Sequence, residues 1–357
     1  MFTLQPGSSA TSSTSCEGLQ VYVAGRRLVP TPVFDTYWRF AAARQTLFYS
    51  RLVDRDDLAP DDEVLRVYRF TNCYRASDRV SQFCIHDVAY AGSQDPADVV
   101  FRVLLFKLFN KIDTWHLLND ELGPITWRTW KPDVARAVLD AAWAAGRRLY
   151  SPAYVIPPPR LGGPRKHHDH LLLLETMMRD QLPRKVQQAA GLGEVFRLLN
   201  QYSGIGDFLG FQFAIDLNYT SAVDFDENQF VVAGPGAKDG IRKCFGRAAS
   251  GIEADIIAYM VDTQQEHFDR LGLRFATLGG RPLHLIDCQN LFCEVDKYAR
   301  VAHPDIAGIS GRTRIKQIYR RAADPVPAPW FPPKWGINRA VEDQVRRLRS
   351  LTTVTSD

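Results

Sequence analysis

The chain has 357 residues, of which 45 % are hydrophobic and 24 % charged, a length that suits one large domain or two lobes and an ordinary globular composition. A formal net charge of +4 is too mild to define a nucleic-acid binder, since that case rests on where the charges cluster. No window approaches about 20 uninterrupted apolar residues, which excludes a membrane-spanning helix, and the opening residues lack the basic and apolar regions of a secretory signal.

In chain order, residues 1–18, rich in Ser, Thr and Gly, read as a disordered tail. The body is expected over 19–320, as helices in two lobes with a boundary loop near 155–170, and 321–357 reads as a Pro-rich extension over the surface. "LQVYVAGRRLVPTPVF" suits a short strand or hairpin. "FDTYWRFAAARQTLFYSRL" then sets Tyr37, Phe40, Ala41, Arg44 and Phe48 at helical spacing, with Asp35 as N-cap. "DEVLRVYRFTNCYRASDRVSQFCIHDVAY" reads as a longer helix with a break near Thr71 and Asn72. "PADVVFRVLLFKLFNKIDTWHLLNDEL" reads as one helix with Pro at its first position. "KPDVARAVLDAAWAAGRRLY" is another, stopped by Gly146. "VIPPPRLGGPRKHHDH" is the expected boundary loop. "HLLLLETMMRDQLPRKVQQA" and "LGEVFRLLNQY" resume the helical pattern. "VVAGPGAKDG" reads as a second loop, followed by "IRKCFGRAASGIEADIIAYMVDTQQEHFDRLGL" and the mixed segment "RPLHLIDCQNLFCEVDKYARV". The helix count gives a mainly α fold.

The six cysteines (Cys16, Cys73, Cys84, Cys244, Cys288 and Cys293) form no CxxC pair and are expected as reduced, mostly buried thiols of a cytoplasmic protein. A monomer is expected.

The turn "SGIG" joins two apolar helices through Gly204, Ile205 and Gly206. Such a turn leaves backbone N–H groups bare at a helix N-terminus, where a DNA phosphate docks without base contacts. The plain alternative is a tight corner between helices. Asp224 and Asp226 follow 20 and 22 positions after Gly204, with Glu227 beside them. An apolar-Gly-apolar-Gly hairpin with an Asp at that distance resembles the helix-hairpin-helix DNA glycosylases. The resemblance implies that Asp226, or Asp224, faces the sugar C1′ and stabilises the oxocarbenium character of glycosidic cleavage; a solvated acidic loop is the alternative. After the turn come Asp207 and Phe208 with no Lys, which argues against a Schiff-base mechanism. Cys288 and Cys293 do not supply the four-Cys loop of iron–sulfur members, so no cluster and no other cofactor is expected.

On a continuous helix, Asn72, Arg75 and Arg79 share one face, as do Asp78 and Gln82, suiting a base edge and phosphates; the alternative is a surface ion-pair ladder. "AGPGAKDGIRK" opens toward Lys238, Arg242 and Lys243 and suits a phosphate at a helix N-terminus. It lacks the Gly-Lys-Ser/Thr ending of a Walker loop, which argues against a kinase. Asp287, Glu294 and Lys297 are placed to line a pocket or to form a buried salt-bridged helix. His167, His168, Asp169 and His170 cannot all face one ion from a helix, so no metal is expected there.

The segments "FDTYWRFAAARQ", "FTNCYRASDRVSQF", "AGPGAKDGIRKCF" and "LIDCQNLFCEVDKY" together resemble the α-glutamyl/putrescinyl thymine pyrophosphorylase family of DNA-base hypermodification proteins, itself related to those glycosylases. The resemblance covers most of residues 34–300. It implies a two-lobed helix-hairpin-helix glycosylase-like fold, double-stranded DNA containing modified pyrimidines as partner, and a flipped-out base as substrate. The expected activity is a monofunctional glycosylase that excises a bulky hydroxymethyl-derived pyrimidine, glucosylated forms included, with antiphage defence as a setting. The alternative is a transferase that couples an amine to an activated 5-hydroxymethyluracil. A DNA-binding module without chemistry is the third reading.

Overall fold

The computed structural model describes residues 16, 18–152, 155–321 and 325–350; most of the expected tail over 1–18 lies outside them. Among the described residues there are fifteen α-helices and one two-stranded sheet, so the fold is mainly α. The chain divides into two compact units: the first comprises 1–75, 233–328 and 337–357, the second 76–232 and 329–336. The 155–170 stretch therefore lies inside the second unit, and the chain passes from one unit to the other at 75/76, 232/233, 328/329 and 336/337.

The first unit opens with β1 (Val21–Val23) and β2 (Arg26–Leu28), paired antiparallel with Val21 opposite Leu28. Ala24 and Gly25 both take positive φ, the signature of a two-residue hairpin turn matched to strand twist. Helix α1 (Pro32–Leu52) is capped by Thr31, whose hydroxyl accepts from the Val33 N–H, and not by Asp35. Asp35 sits one turn in, ion-paired to Arg270 at 2.5 Å. The expected face of α1 is buried throughout: Tyr37, Phe40, Ala41, Arg44 and Phe48. Helix α2 (Glu63–Val67) is short, and no helix continues it.

In the second unit α3 (Arg79–Phe83) runs into a wider π turn, Cys84–Ala89. Helix α4 (Pro96–Phe109) is capped by Asp95 and is buried from Asp98 to Phe109, so it forms the unit's centre. It ends at Asn110, which adopts the left-handed conformation that Asn tolerates, and α5 (Ile112–Leu122) starts anew. The single helix expected there is thus two. Then come α6 (Pro132–Ala144), α7 (Lys166–Arg179), α8 (Leu182–Gln188), α9 (Leu192–Asn200) and α10 (Asp207–Asn218). Lys107 of α4 and Asp216 of α10 form a buried ion pair at 3.1 Å.

Back in the first unit, α11 (Pro235–Phe245), α12 (Glu253–Asp262), α13 (Gln264–Arg270) and α14 (Leu285–Ala302) pack with α1. Phe34 meets Phe245, Tyr37 meets Phe292, and Trp38 meets Phe268, all with ring centroids near 5 Å. The Pro-rich end does not merely lie on the surface. Phe331 is fully buried in the second unit, and α15 (Asn338–Ser350) seats Val341 in the first. The six cysteines are free thiols, five of them buried. No described helix is long and apolar enough to cross a membrane.

Candidate functional site

Helix α9, a six-residue connection over 201–206 and helix α10 build the expected hairpin in the second unit. Gly204 has φ +82°, and a Cβ there would sit 3.1 Å from the Cα of Pro159, so the position favours glycine twice over. Ser203 fixes the turn by donating to the Pro159 carbonyl at 2.6 Å, and Ile205 is buried. Gly206 is the N-cap of α10 and is open to solvent. The next residue, Asp207, puts a carboxylate in the first turn of α10, held by the Asn200 amide at 2.9 Å. A negative charge already complements this helix dipole and repels a phosphate placed beside it.

The acidic segment after α10 is held in place by Asn218, a residue that sequence reasoning passed over. Its amide donates to the Phe225 carbonyl and accepts from the Phe225 N–H, at 3.0 and 2.8 Å. Asp224 and Asp226 stay exposed on either side, while Glu227 is buried. Asp226 accepts from the Asn228 N–H and so closes a local turn. Asp224 lies 3.5 Å from the Lys334 ammonium, which also donates to the Val223 carbonyl.

Around Asp224 the second unit gathers a set of rings. Trp330 meets Tyr90 and His86 edge-on, with centroids 5.1 and 5.5 Å apart. Burial, with the Asp224 charge as a lesser cause, pushes the Tyr90 phenol up to about 12, so it stays a hydrogen-bond donor at neutral pH. His86 and Asp87 sit on the π turn, a distortion that recurs at functional positions. The turn's freed carbonyls need donors, and buried Arg102 supplies them by donating to Val88, Ala89 and Ser93. Gln82, expected in a base pocket, instead accepts from the Trp330 N–H at 2.7 Å and donates to the Ala76 carbonyl. Asp78 and Arg79 begin α3, Asp78 half-buried and Arg79 exposed. His86, Tyr90, Trp330 and Lys334 were not legible beforehand, because more than 200 residues separate the π turn from Trp330.

The other candidates fall in the first unit, and there the structure corrects two expectations. Residues 68–74 are not helical, so Asn72, Arg75 and Arg79 share no helix face. Arg44 of α1 donates to the Thr71 carbonyl at 2.9 Å and to the Asn72 side chain at 2.6 Å. Glu294 accepts from the Thr71 N–H, and Asp287 accepts from the Arg75 N–H. Lys297 pairs with Glu294 at 2.7 Å and donates to the Arg69 carbonyl. Asn72, Arg75, Asp287, Glu294 and Lys297 do converge, but as the scaffold that pins an unwound segment along α14. The side chains of Arg44, Glu294, Asp287 and Lys297 thereby satisfy backbone groups of the segment that have no helical partner.

Asp287 also closes the capping box of α14, accepting from the His284 N–H. Burial pushes its carboxyl up to about 6 from an ordinary 3.8, against those two N–H donors and the charges of Arg281 and Arg75. The folded chain then holds this proton more tightly than the unfolded chain. The contribution to stability is full below pH 3.8 and is lost as pH rises through about 6. Asp287→Asn is expected to flatten that part of the slope, read as urea midpoints measured between pH 4 and 7.

The second correction concerns "AGPGAKDG". Two of its glycines, Gly236 and Gly240, lie within α11 and serve close approach to α14, while Gly234 is that helix's buried N-cap. A Cβ on Gly236 would lie 3.0 Å from the Cys293 sulfur, and one on Gly240 2.1 Å from the Phe292 carbonyl oxygen. Lys243 is buried, paired with Asp296 at 3.1 Å, and is not available to DNA. Arg242 bonds the Ser250 hydroxyl, and Lys238 is exposed.

A family model described as "5-hmdU DNA kinase, helical domain" matches residues 31–308. Nothing matches among curated proteins or among solved structures.

Proposed function

This chain belongs to the 5-hmdU DNA kinase helical-domain family, and from that premise we propose that it modifies a hydroxymethyl-derived pyrimidine in DNA by group transfer. In this reading an amine attacks the 5-methylene carbon of an activated 5-hydroxymethyluracil. The new C–N bond forms as the C–O bond breaks. The phosphate or pyrophosphate leaves with the bonding electron pair, and the amine gives its proton to a base. The base stays on its sugar.

The family match over 31–308 carries this reading. It favours action on the hydroxymethyl group over excision. The chain has no Gly-Lys-Ser/Thr loop for a nucleotide's phosphates, which supports acting on a group that is already activated. Within the second unit, Asp224 is the carboxylate we assign to take the amine proton, since its side chain is 76 % exposed and open to a substrate. Tyr90, His86 and Trp330 offer ring surface for a base drawn out of the duplex. Asp226, engaged in its local turn, ranks second.

The test is duplex DNA carrying phosphorylated or pyrophosphorylated 5-hydroxymethyluracil, incubated with putrescine or glutamate and digested for mass spectrometry. A heavier nucleoside in intact strands is expected. Free base with alkali-labile sites would mean excision and would overturn the transfer reading. Asp224→Asn is expected to slow turnover by roughly 100-fold or more, the usual range for a lost general base. Full activity in both Asp224→Asn and Asp226→Ala would remove the catalytic assignment.

A further inference from the structure

We propose that Asp140, His167 and His168 form a binding site for a divalent transition metal of the Zn²⁺ type. Asp140 lies near the end of α6, and the two histidines occupy the first turn of α7. Neighbouring residues on a helix diverge by about 100°, which is the ground for expecting no shared ion. The side chains overcome that divergence. The two imidazoles tilt toward each other, with centroids 4.8 Å apart. Their far nitrogens then meet one carboxylate: His167 Nε2 is 2.9 Å from Oδ1, and His168 Nε2 is 2.9 Å from Oδ2. The three ligand atoms all lie within 4.8 Å of one another.

Two imidazole nitrogens and one carboxylate oxygen suit zinc and its first-row neighbours, whereas magnesium and calcium prefer all-oxygen sets. Zinc bonds to such atoms at about 2.0–2.2 Å, so small ring movements admit the ion among them. His167 is buried, while the Asp140 and His168 side chains are 31 % and 17 % exposed. The site therefore has a firm wall and an open side, where water completes the coordination. The Arg165 guanidinium, stacked over Trp143 at 4.3 Å, also pairs with Asp140. It competes with a cation for this carboxylate. An occupied site ties α6 to the start of α7 across the Pro- and Gly-rich connection "VIPPPRLGGPRK". None of these residues belongs to the proposed reaction.

The experiment is calorimetric titration of tag-free, chelator-stripped full-length chain with Zn²⁺. One equivalent is expected to bind, with a rise in melting temperature. His168→Ala, at a partly buried position and expected to keep the wild-type circular dichroism spectrum, is expected to weaken binding by roughly 100-fold, as is Asp140→Asn. Arg165→Ala is expected to tighten it, because the competing cation is gone. Cys293→Ser, which removes a thiol in the other unit, is expected to change nothing. No uptake by the wild-type chain, unchanged uptake in both His168→Ala and Asp140→Asn, or loss of uptake in Cys293→Ser would each overturn the site.

Discussion

Replacing Gly240 by alanine is expected to destabilise the chain by about 3 kcal/mol or more, the upper end of what overpacking a core costs. The added methyl group would lie 2.1 Å from the Phe292 carbonyl oxygen, 2.8 Å from its carbon and 3.1 Å from its Cα. All three are backbone atoms in the middle of α14, so no side chain can rotate aside. Relief requires α11 and α14 to separate, and that opens the packing of Ile241, Cys244 and Phe292 with α1. Urea midpoints followed by circular dichroism measure the loss. Gly206→Ala is the matched control. Its φ is −87°, nothing lies within 4 Å of the added carbon, and stability is expected to hold. A Gly240→Ala chain as stable as wild type would show that the two helices do not approach this closely.

Asp296→Ala is expected to cost about 3–5 kcal/mol, because it strands a buried charge. The Lys243 and Asp296 side chains are only 2 % and 3 % exposed. The lysine ammonium binds both the carboxylate and the backbone carbonyl of Asp296. Arg300, one turn further along α14, also binds that carboxylate. Removing the Asp296 carboxylate leaves two cations without their counter-ion, each keeping a backbone carbonyl. Lys243→Met is expected to cost less, since Asp296 keeps Arg300 and methionine fills a similar volume. Comparing the two by urea denaturation separates a stranded charge from a lost contact. Equal losses would mean that the ion pair is not the source of the penalty. DNA affinity of folded Lys243→Met is expected to be unchanged, because this ammonium faces α14.

The parts of this fold that were legible in sequence are those with local causes. Periodic apolar positions placed α1, and proline at the first helical position placed the start of α4. The helix–turn–helix around Gly204 was legible because a glycine with positive φ between two apolar runs has few other uses. The misreadings at the candidate site have distant causes. "FTNCYR" leaves the helical state because Arg44 takes its carbonyls and two acids more than 200 residues later take its N–H groups. Glycine permits close approach without saying what approaches. At 236 and 240 it is another helix, where a phosphate was expected. Asp224 and Asp226 were legible as an acidic pair, but their neighbours were not. The rings and the ammonium beside Asp224 come from the π turn and from residues 330–334, which no spacing rule connects.

The eight residues Pro329–Gly336 belong to the second unit, although the chain on both sides of them belongs to the first. This has a consequence for how the protein is made. A ribosome delivers residues in order, and domains generally fold as they emerge. The second unit has nearly all of its sequence once residue 232 is out, yet Phe331, one of its fully buried side chains, is still about 100 residues from synthesis. The first unit likewise lacks Ile337 and Val341 until that same stretch has been made. Both cores are therefore sealed by the same late stretch of chain, and the growing polypeptide carries two unfinished apolar sockets until it arrives.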